Sequence, residues 1–150
     1  MEYNFGLTAQ DYAKHRAGFP DEFFDRVFAD GIVNPTASLL DLGTGTGTLA
    51  RGFAARGCSV IGLDISAQLL EQAKDLSLQQ GLDIEFRLGK AEETGLPDAS
   101  FDVVSAGQCW HWFDRPRAAQ EVKRLLKPGG RVLIAHFDWL PLPGNVVDRT

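Results

Sequence analysis

The sequence predicts an α/β fold, a doubly wound and mostly parallel sheet with strand order 3-2-1-4-5. Short runs of β-branched and aliphatic residues alternate along the chain with segments whose apolar residues recur at helical spacing. A glycine-rich stretch at 43–47 follows the first run directly and leads into a helical segment. Strands that alternate with helices need right-handed crossovers, and such crossovers give a parallel sheet.

The predicted strands are short apolar runs of the length that suits a buried sheet. They lie at 38–42, 58–64, 84–88, 101–106 and 131–135. The third alternates apolar with charged residues, which indicates an edge strand. At 150 residues the chain has the usual size of one domain. We divide it into an N-terminal lid and helix at 1–35, a core at 36–138 and a tail at 139–150.

The predicted helices have recognisable start and stop residues. Asp21, Ser66 and Asp114 stand where an N-cap is expected for the helices that follow them. Gly81 is expected to end one helix, and the Lys-Pro-Gly-Gly run at 127–130 to close another. These signals fix the order of strands and helices.

Composition argues against several kinds of partner. The formal net charge of −5 and the pI of about 5.1 argue against binding nucleic acid, which needs clustered Lys and Arg. The densest group of basic residues, within 115–127, is predicted to lie on a solvated helix face. Cys58 and Cys109 lack the close spacing of a zinc site, so we expect no metal and a reducing, cytoplasmic setting. No run approaches the roughly 20 apolar residues of a membrane span, and the N-terminus lacks the pattern of a leader, so we expect no membrane partner.

The stretch 41–47, Asp-Leu-Gly-Thr-Gly-Thr-Gly, carries the strongest functional signal. In a doubly wound sheet, ligands bind beyond the carboxyl ends of the strands where the strand order reverses, here between the first and fourth strands. Gly43, Gly45 and Gly47 let the backbone turn tightly and approach a ligand. A nucleotide-like cofactor is predicted, with a plain strand-to-helix turn as the alternative for the glycines taken alone.

Three residues narrow the choice of cofactor. Asp64 ends the second strand about 20 residues after the loop begins, where a carboxylate can accept hydrogen bonds from both ribose hydroxyls. The dinucleotide pattern G-x-G-x-x-G needs glycine at the position that Thr48 occupies. Asp41 would repel a pyrophosphate but attract the ammonium of a methionine moiety. S-adenosylmethionine is therefore favoured over NAD.

These residues and several later ones resemble the motifs of class I S-adenosylmethionine-dependent methyltransferases. The run 40–47 is similar to their first motif, and 62–66 is similar to their acidic second motif. Later stretches match the group usually called methyltransferase type 11, namely 89–92 with Leu96-Pro97, 101–104 and 125–130. The resemblance extends from Tyr12 to Phe137, and it implies a Rossmann-like fold with S-adenosyl-L-methionine as cofactor.

Carried over position by position, the resemblance assigns the cofactor contacts. It places Asp41 near the methionine part, and the loop residues Gly43, Thr44, Gly45 and Gly47 against the cofactor. It further places Asp64 on the ribose, Ile65 on the adenine face, Ala91 and Glu92 beside the adenine, and Gln108 on the cofactor side of the site. The alternative for Glu92 is an exposed loop carboxylate.

The substrate side is predicted from an aromatic stretch, 108–113, after the fourth strand. It is similar to the Gln-x-x-His-Trp-Phe stretches of small-molecule methyltransferases. Trp110 and Trp112 are expected to line a substrate pocket, with core packing as the alternative. His111, or His136, is the candidate base for a phenol, amine or enol acceptor, although a lone histidine is commonly structural.

An N-terminal pair is also assigned by resemblance. Tyr12 and Arg16 resemble the family's Tyr-x-x-x-Arg segment, which folds over the cofactor and helps to bind an anionic substrate. The alternative is a frayed leader.

The expected reaction is in-line methyl transfer to a small-molecule acceptor, which depends on positioning more than on covalent catalysis. The family's sheet normally has two further strands, the sixth and seventh, which this sequence does not show. We expect the outer edge of the fifth strand to be exposed and to favour a homodimer. Two alternatives stay open: a cofactor-binding module without turnover, and an NAD-dependent oxidoreductase domain.

Overall fold

The computed structural model describes residues 19–107 and 113–135. Within these ranges four helices alternate with the strands of one sheet. The helices are α1 (Asp21–Ala29), α2 (Thr48–Ala54), α3 (Ala67–Gln79) and α4 (Arg115–Leu125). The strands are β1 (Ser38–Leu42), β2 (Ser59–Asp64), β3 (Glu85–Leu88), β4 (Phe101–Gly107) and β5 (Leu126–Ala135).

The described strands form a parallel sheet in the order β3-β2-β1-β4-β5. This is the predicted order, and it confirms the doubly wound α/β fold. The order reverses between β1 and β4, so a crevice opens beyond the carboxyl ends of these two strands. The glycine stretch at 43–47 follows β1 at that crevice.

The core has two layers, one on each face of the sheet. Successive residues of a strand point to opposite faces. Leu39 accordingly packs in a cluster with Phe24 of α1 and Phe53 of α2, while Leu40 packs in another with Leu125 of α4. Both leucines are 0% exposed. The helices thus cover both faces of the central strand.

The packing of α1 on α2 depends on a close approach at Gly52. The rings of Phe24 and Phe53 meet edge to face, with centroids 5.1 Å apart. A Cβ at Gly52 would lie 2.1 Å from Cζ of Phe24. The absence of a side chain at this position therefore creates the space for the buried Phe24 ring.

Two predicted caps are confirmed and one is wrong. The hydroxyl of Ser66 accepts the backbone N–H of Leu69 at 3.2 Å, and the carboxylate of Asp114 accepts that of Arg117. Asp21 is not a cap, because Pro20 holds the N-cap position and Asp21 is the first helical residue of α1. There its charge still stabilises the positive end of the helix dipole.

The predicted closure of α4 by residues 127–130 is also wrong. The helix ends at Leu125, and Leu126 has an extended backbone (φ −78°, ψ 138°) that pairs with Phe101. Pro128 disfavours a helical backbone only at Lys127, and the helix has already ended before that residue because Leu126 joins β5. Pairing with β4 resumes between Val103 and Arg131 after an irregularity, at which Gly129 has φ +79°.

Ion pairs fasten the segment before β4 to α4. Glu121 accepts hydrogen bonds from the N–H and hydroxyl of Thr94 at 2.9 and 2.6 Å. Arg124 contacts both Glu121, at 2.7 Å, and Asp98, at 2.5 Å. The arginine holds the pKa of Glu121 down to about 2, with help from the Thr94 bonds. This network sets where the chain enters β4.

Both edges of the sheet carry exposed apolar side chains. Leu88 on β3 is 65% exposed, and Val132 and Ile134 on β5 are 46% and 49% exposed. The homodimer predicted for the β5 edge stays a prediction. Within the described residues, no helix has both the length and the apolar character needed to cross a bilayer.

Candidate functional site

The glycine loop, residues 43–47, joins β1 to α2. Gly43, Gly45 and Gly47 have φ of +61°, +59° and +84°, a region that L side chains rarely adopt. The N–H of Thr44 donates to the carbonyl of Leu63 at 2.9 Å, and the N–H of Gly47 donates to the carbonyl of Thr44 at 2.8 Å. The loop is thus folded back against the end of β2.

Gly45 lies at the open side of this loop. Among the described residues, a Cβ built there would meet no atom within 4 Å, whereas one at Gly47 would lie 3.4 Å from Ala73 and Phe86. The backbone at Gly45 is therefore open to a ligand, while the backbone at Gly47 packs inward. Glycine is favoured at position 45 because of its positive φ, and not because a side chain there would clash with the described residues.

Asp64, at the end of β2, joins two backbone segments. One carboxylate oxygen, Oδ2, accepts the N–H of Gly45 at 2.8 Å, and the other, Oδ1, accepts the N–H of Ser66 at 2.9 Å. The residue is 8% exposed. Because each carboxylate oxygen has two lone pairs, both oxygens keep acceptor capacity for a ligand beside Gly45.

Asp41 lies beneath the loop and is 2% exposed. Its Oδ2 accepts the hydroxyl of Thr44 at 2.7 Å, and its Oδ1 accepts the hydroxyl of Ser105 on β4 at 2.7 Å. Burial raises the pKa of Asp41 to about 7; the two hydrogen bonds act in the opposite direction, and the nearby charge of Asp64 adds to the rise. Both oxygens of the carboxyl group therefore have partners within the protein.

Ser105 is a site residue that sequence analysis missed. It is 0% exposed and stands opposite Asp41 in the pairing of β1 with β4. The available signal was a serine between apolar residues in the second half of the strand Phe101–Gly107. A buried serine needs a partner, but nothing local in the sequence identifies that partner as Asp41.

The predicted adenine-side residues differ in their surroundings. Ile65 directly follows β2 and is 74% exposed, so its apolar side chain is free to pack on a ligand. Ala91 is 4% exposed and belongs to the core cluster with Leu63. Glu92 Oε2 accepts the N–H of Asp114 at 2.7 Å, so its carboxylate is held by the start of α4. Contacts of all three with adenine stay predictions.

Several predicted residues lie outside the described residues. They are Tyr12, Arg16, Gln108, Trp110, His111, Trp112 and His136. The structure describes Gly107, directly before the aromatic stretch, and Phe113, the last residue of that stretch. The cofactor side of the site is therefore described in more detail than the substrate side.

A separate cleft of about 190 Å³ lies at the opposite, amino-terminal end of β1 and β4. Its lining includes Asp102, which accepts the N–H of Ser38 at 2.9 Å, and Arg131, which donates to the carbonyl of Gly31 at 3.2 Å. These charged groups already have partners within the protein. The glycine loop is therefore the better candidate site, because Asp41 and Asp64 lie there beside the open backbone of Gly45.

Comparison with known proteins identifies the family. A family model described as a methyltransferase domain matches residues 40–134, more than half of the chain. The uncharacterized methyltransferase Rv3342 of Mycobacterium tuberculosis is 37% identical over 99% of this chain and 60% of its own length. The ubiquinone/menaquinone biosynthesis C-methyltransferase UbiE of Laribacter hongkongensis is 35% identical over 73% of this chain and 48% of its own.

A solved structure shows the same fold. It is a Methanococcus maripaludis protein assigned to the S-adenosyl-L-methionine-dependent methyltransferases, with a TM-score of 0.78 and 23% identity over 91% of this chain and 66% of that one. The chain spans 60% of the length of Rv3342 and about half of that of UbiE. The matched region includes the glycine loop, Asp64 and Ser105. The chain belongs to the class I S-adenosylmethionine-dependent methyltransferases, in the methyltransferase type 11 group.

Proposed function

We propose that this chain binds S-adenosyl-L-methionine at the glycine loop and supports methyl transfer from it to a small-molecule acceptor. The observation that carries the proposal is the position of Asp64. Its carboxylate is held beside the open backbone of Gly45 and keeps acceptor capacity. That arrangement suits a ligand with a pair of hydroxyls, such as the ribose of the cofactor.

The other site residues fit the remaining parts of this cofactor. Ile65 offers an exposed apolar face to the adenine ring. Asp41 places a carboxyl group below the loop, where a negative charge favours a cationic methionine moiety over a pyrophosphate. Glu92 and Gln108 complete the set predicted by resemblance. The chemistry that the cofactor supplies is a methyl group on a sulfonium, which is activated for displacement.

The protein's contribution to the reaction is positioning. In-line displacement forms one bond to the methyl carbon while the carbon–sulfur bond breaks, and both reactants must be held in line. Trp110 and Trp112 are proposed to hold the acceptor, and Tyr12 and Arg16 to bind it when it is anionic. His111 is proposed to take the proton from a phenol, amine or enol acceptor, and an ionised carboxylate needs no base.

The class of acceptor is supported by one relative. UbiE is named as a C-methyltransferase of ubiquinone/menaquinone biosynthesis and is 35% identical to this chain over 116 residues. A small organic acceptor is consistent with that name and with the aromatic stretch after β4. The net charge of −5 also favours such an acceptor over nucleic acid.

A second candidate function is cofactor binding without turnover. The described contacts of Asp41 and Asp64 bear on a cofactor, whereas the residues proposed to hold the acceptor lie outside the described residues. We therefore also consider a module that binds the cofactor without turnover. An NAD-dependent oxidoreductase is disfavoured, because the buried Asp41 carboxylate lies beneath the loop that would receive the pyrophosphate.

Calorimetric titration tests the proposal. We expect S-adenosylmethionine and S-adenosylhomocysteine to bind, and Asp64→Ala to abolish binding of both. Asp83→Ala, which changes an exposed aspartate outside the site, is the matched control and should bind normally. Binding of NAD alone would overturn the proposal.

Turnover is tested separately with methyl-labelled cofactor and a panel of small phenols, amines and carboxylic acids. Labelled product supports the methyltransferase. Cofactor binding without product across the panel supports the binding module.

A further inference from the structure

Asp41 is a carboxyl group in an apolar setting. It is 2% exposed. Leu39 and its β4 partner Val103 lie on the same face of the sheet as Asp41, and both are apolar. Moving a carboxylate out of water disfavours its charged form unless donors or cations compensate. In the described part of the chain, the charged group that acts on Asp41 is Asp64 of β2, which has the same sign. The compensation must therefore come from hydrogen-bond donors.

Two hydroxyl groups supply that compensation. Thr44 donates from the glycine loop to Oδ2, and Ser105 donates from β4 to Oδ1, each at 2.7 Å. Hydrogen bonds to an ionised acceptor are shorter and stronger than those between neutral groups. One oxygen of Asp41 is thus held by the glycine loop and the other by the neighbouring strand β4.

We propose that Ser105 is a positioning residue for the cofactor site, whose buried hydroxyl favours the ionised form of the Asp41 carboxyl group and aligns it beneath the glycine loop. The inference rests on the proposed function, because it concerns the affinity of that loop for a cationic ligand. Ser105 itself acts through Asp41 and Thr44 and contacts no ligand in this scheme.

The proposal has a consequence for pH dependence. The pKa of Asp41 lies at about 7, so its carboxylate is ionised above that pH and increasingly neutral below it. Affinity for a cation should therefore fall as the pH drops through 7. Removing the Ser105 donor should raise the pKa of Asp41 further, because a hydrogen bond to the charged form is lost.

The first test needs no ligand. We would follow the side-chain carboxyl ¹³C signal of Asp41 by NMR between pH 5 and 9, assigned by its loss in Asp41→Asn. Ser105→Ala should move the titration midpoint upward by about one pH unit, a tenfold change in the protonation equilibrium. Ser105→Thr, which keeps the hydroxyl, should restore the midpoint, and Ser59→Ala on the exposed end of β2 should not move it.

The second test measures the Kd of S-adenosylhomocysteine and S-adenosylmethionine for the same variants across this pH range. In Ser105→Ala the pH at which affinity declines should rise with the NMR midpoint, and in Asp41→Asn that decline should disappear. An unshifted NMR midpoint in a folded Ser105→Ala would overturn the inference, as would weaker binding at every pH with an unchanged profile. Failure of the wild-type protein to bind at pH 8 would instead overturn the proposed function.

Discussion

The carboxylate of Asp64 accepts the N–H of Gly45 at 2.8 Å, across 19 positions of sequence. The contact joins the end of β2 to the loop that follows β1. It also gives a residue that is proposed to bind the cofactor a role in holding the glycine loop. We therefore expect substitutions of Asp64 to affect both cofactor binding and stability.

We predict that Asp64→Asn weakens the fold as well as the site. Both carboxylate oxygens accept backbone N–H groups, and an asparagine side chain can offer an acceptor to only one of them. The unfolding free energy should fall by about 1–3 kcal/mol, the cost of a buried group left without its partner. Urea denaturation measures it, with Asp83→Asn as control. Unchanged stability would show that the loop does not depend on this carboxylate.

Glu92 should protect the backbone amide of Asp114 from hydrogen exchange. Its Oε2 accepts that N–H at 2.7 Å, and this joins the segment after β3 to the start of α4. In Glu92→Ala the Asp114 amide should exchange with deuterium faster, whereas Glu92→Gln keeps an acceptor and should preserve protection. Hydrogen exchange by NMR reports this directly. Equal exchange in all three proteins would leave Glu92 as an exposed loop residue.

The network around Glu121 should make the free energy of unfolding depend on pH in the acid range. The folded-state pKa of Glu121 is lowered from 4.5 to about 2 by Arg124 and Thr94. A lowered pKa means that its stabilisation is complete above pH 4.5 and is lost as the pH falls towards 2. After allowance for solvent screening, we expect a loss of about 1–2 kcal/mol.

The measurement is denaturant unfolding at several pH values, in wild type and Glu121→Gln. The variant should lose less stability than wild type between pH 4.5 and 2. Glu71→Gln, which changes an exposed glutamate on α3, should follow the wild-type curve. Parallel curves for wild type and Glu121→Gln would contradict the assignment.

Gly52→Ala should destabilise the protein although alanine favours helices. The new Cβ would lie 2.1 Å from Cζ of Phe24, a ring that is 3% exposed. Overpacking of this kind costs about 1–3 kcal/mol. Thermal unfolding of Gly52→Ala, and of the same change combined with Phe24→Leu, tests the cause. Gly52→Ala should lower the melting temperature less in the Phe24→Leu background than in the wild-type background. Equal losses in the two backgrounds would show that the strain does not arise at the Phe24 ring.

The sequence predicts most of the fold because the determining signals are local. Apolar runs, the glycine loop and the caps Ser66 and Asp114 each occupy a few consecutive residues, and their order implies the sheet. The run 127–130 misled because proline and glycine end helices and also interrupt strands. The pairing of Leu126 with Phe101 shows that the run lies within a strand and is not the end of a helix.

The site is predictable in part for the same reason. The glycines and Asp64 follow a known spacing, and the structure places them together. Ser105 lies 64 positions from Asp41, so its role depends on two strands meeting in register. Likewise, Asp114, the partner of Glu92, lies 22 positions later in the sequence, after β4. Such contacts have no local pattern to reveal them.

The Asp41–Ser105 pair also bears on how β1 and β4 align. A shift of β4 by two residues would place Val103 or Gly107 opposite Asp41 in place of Ser105. A slip of β4 would remove the only hydroxyl that this strand presents to the buried carboxyl and leave that carboxyl short of a donor. We therefore expect this polar contact in the core to favour the observed strand alignment, at the position where the cofactor site is proposed.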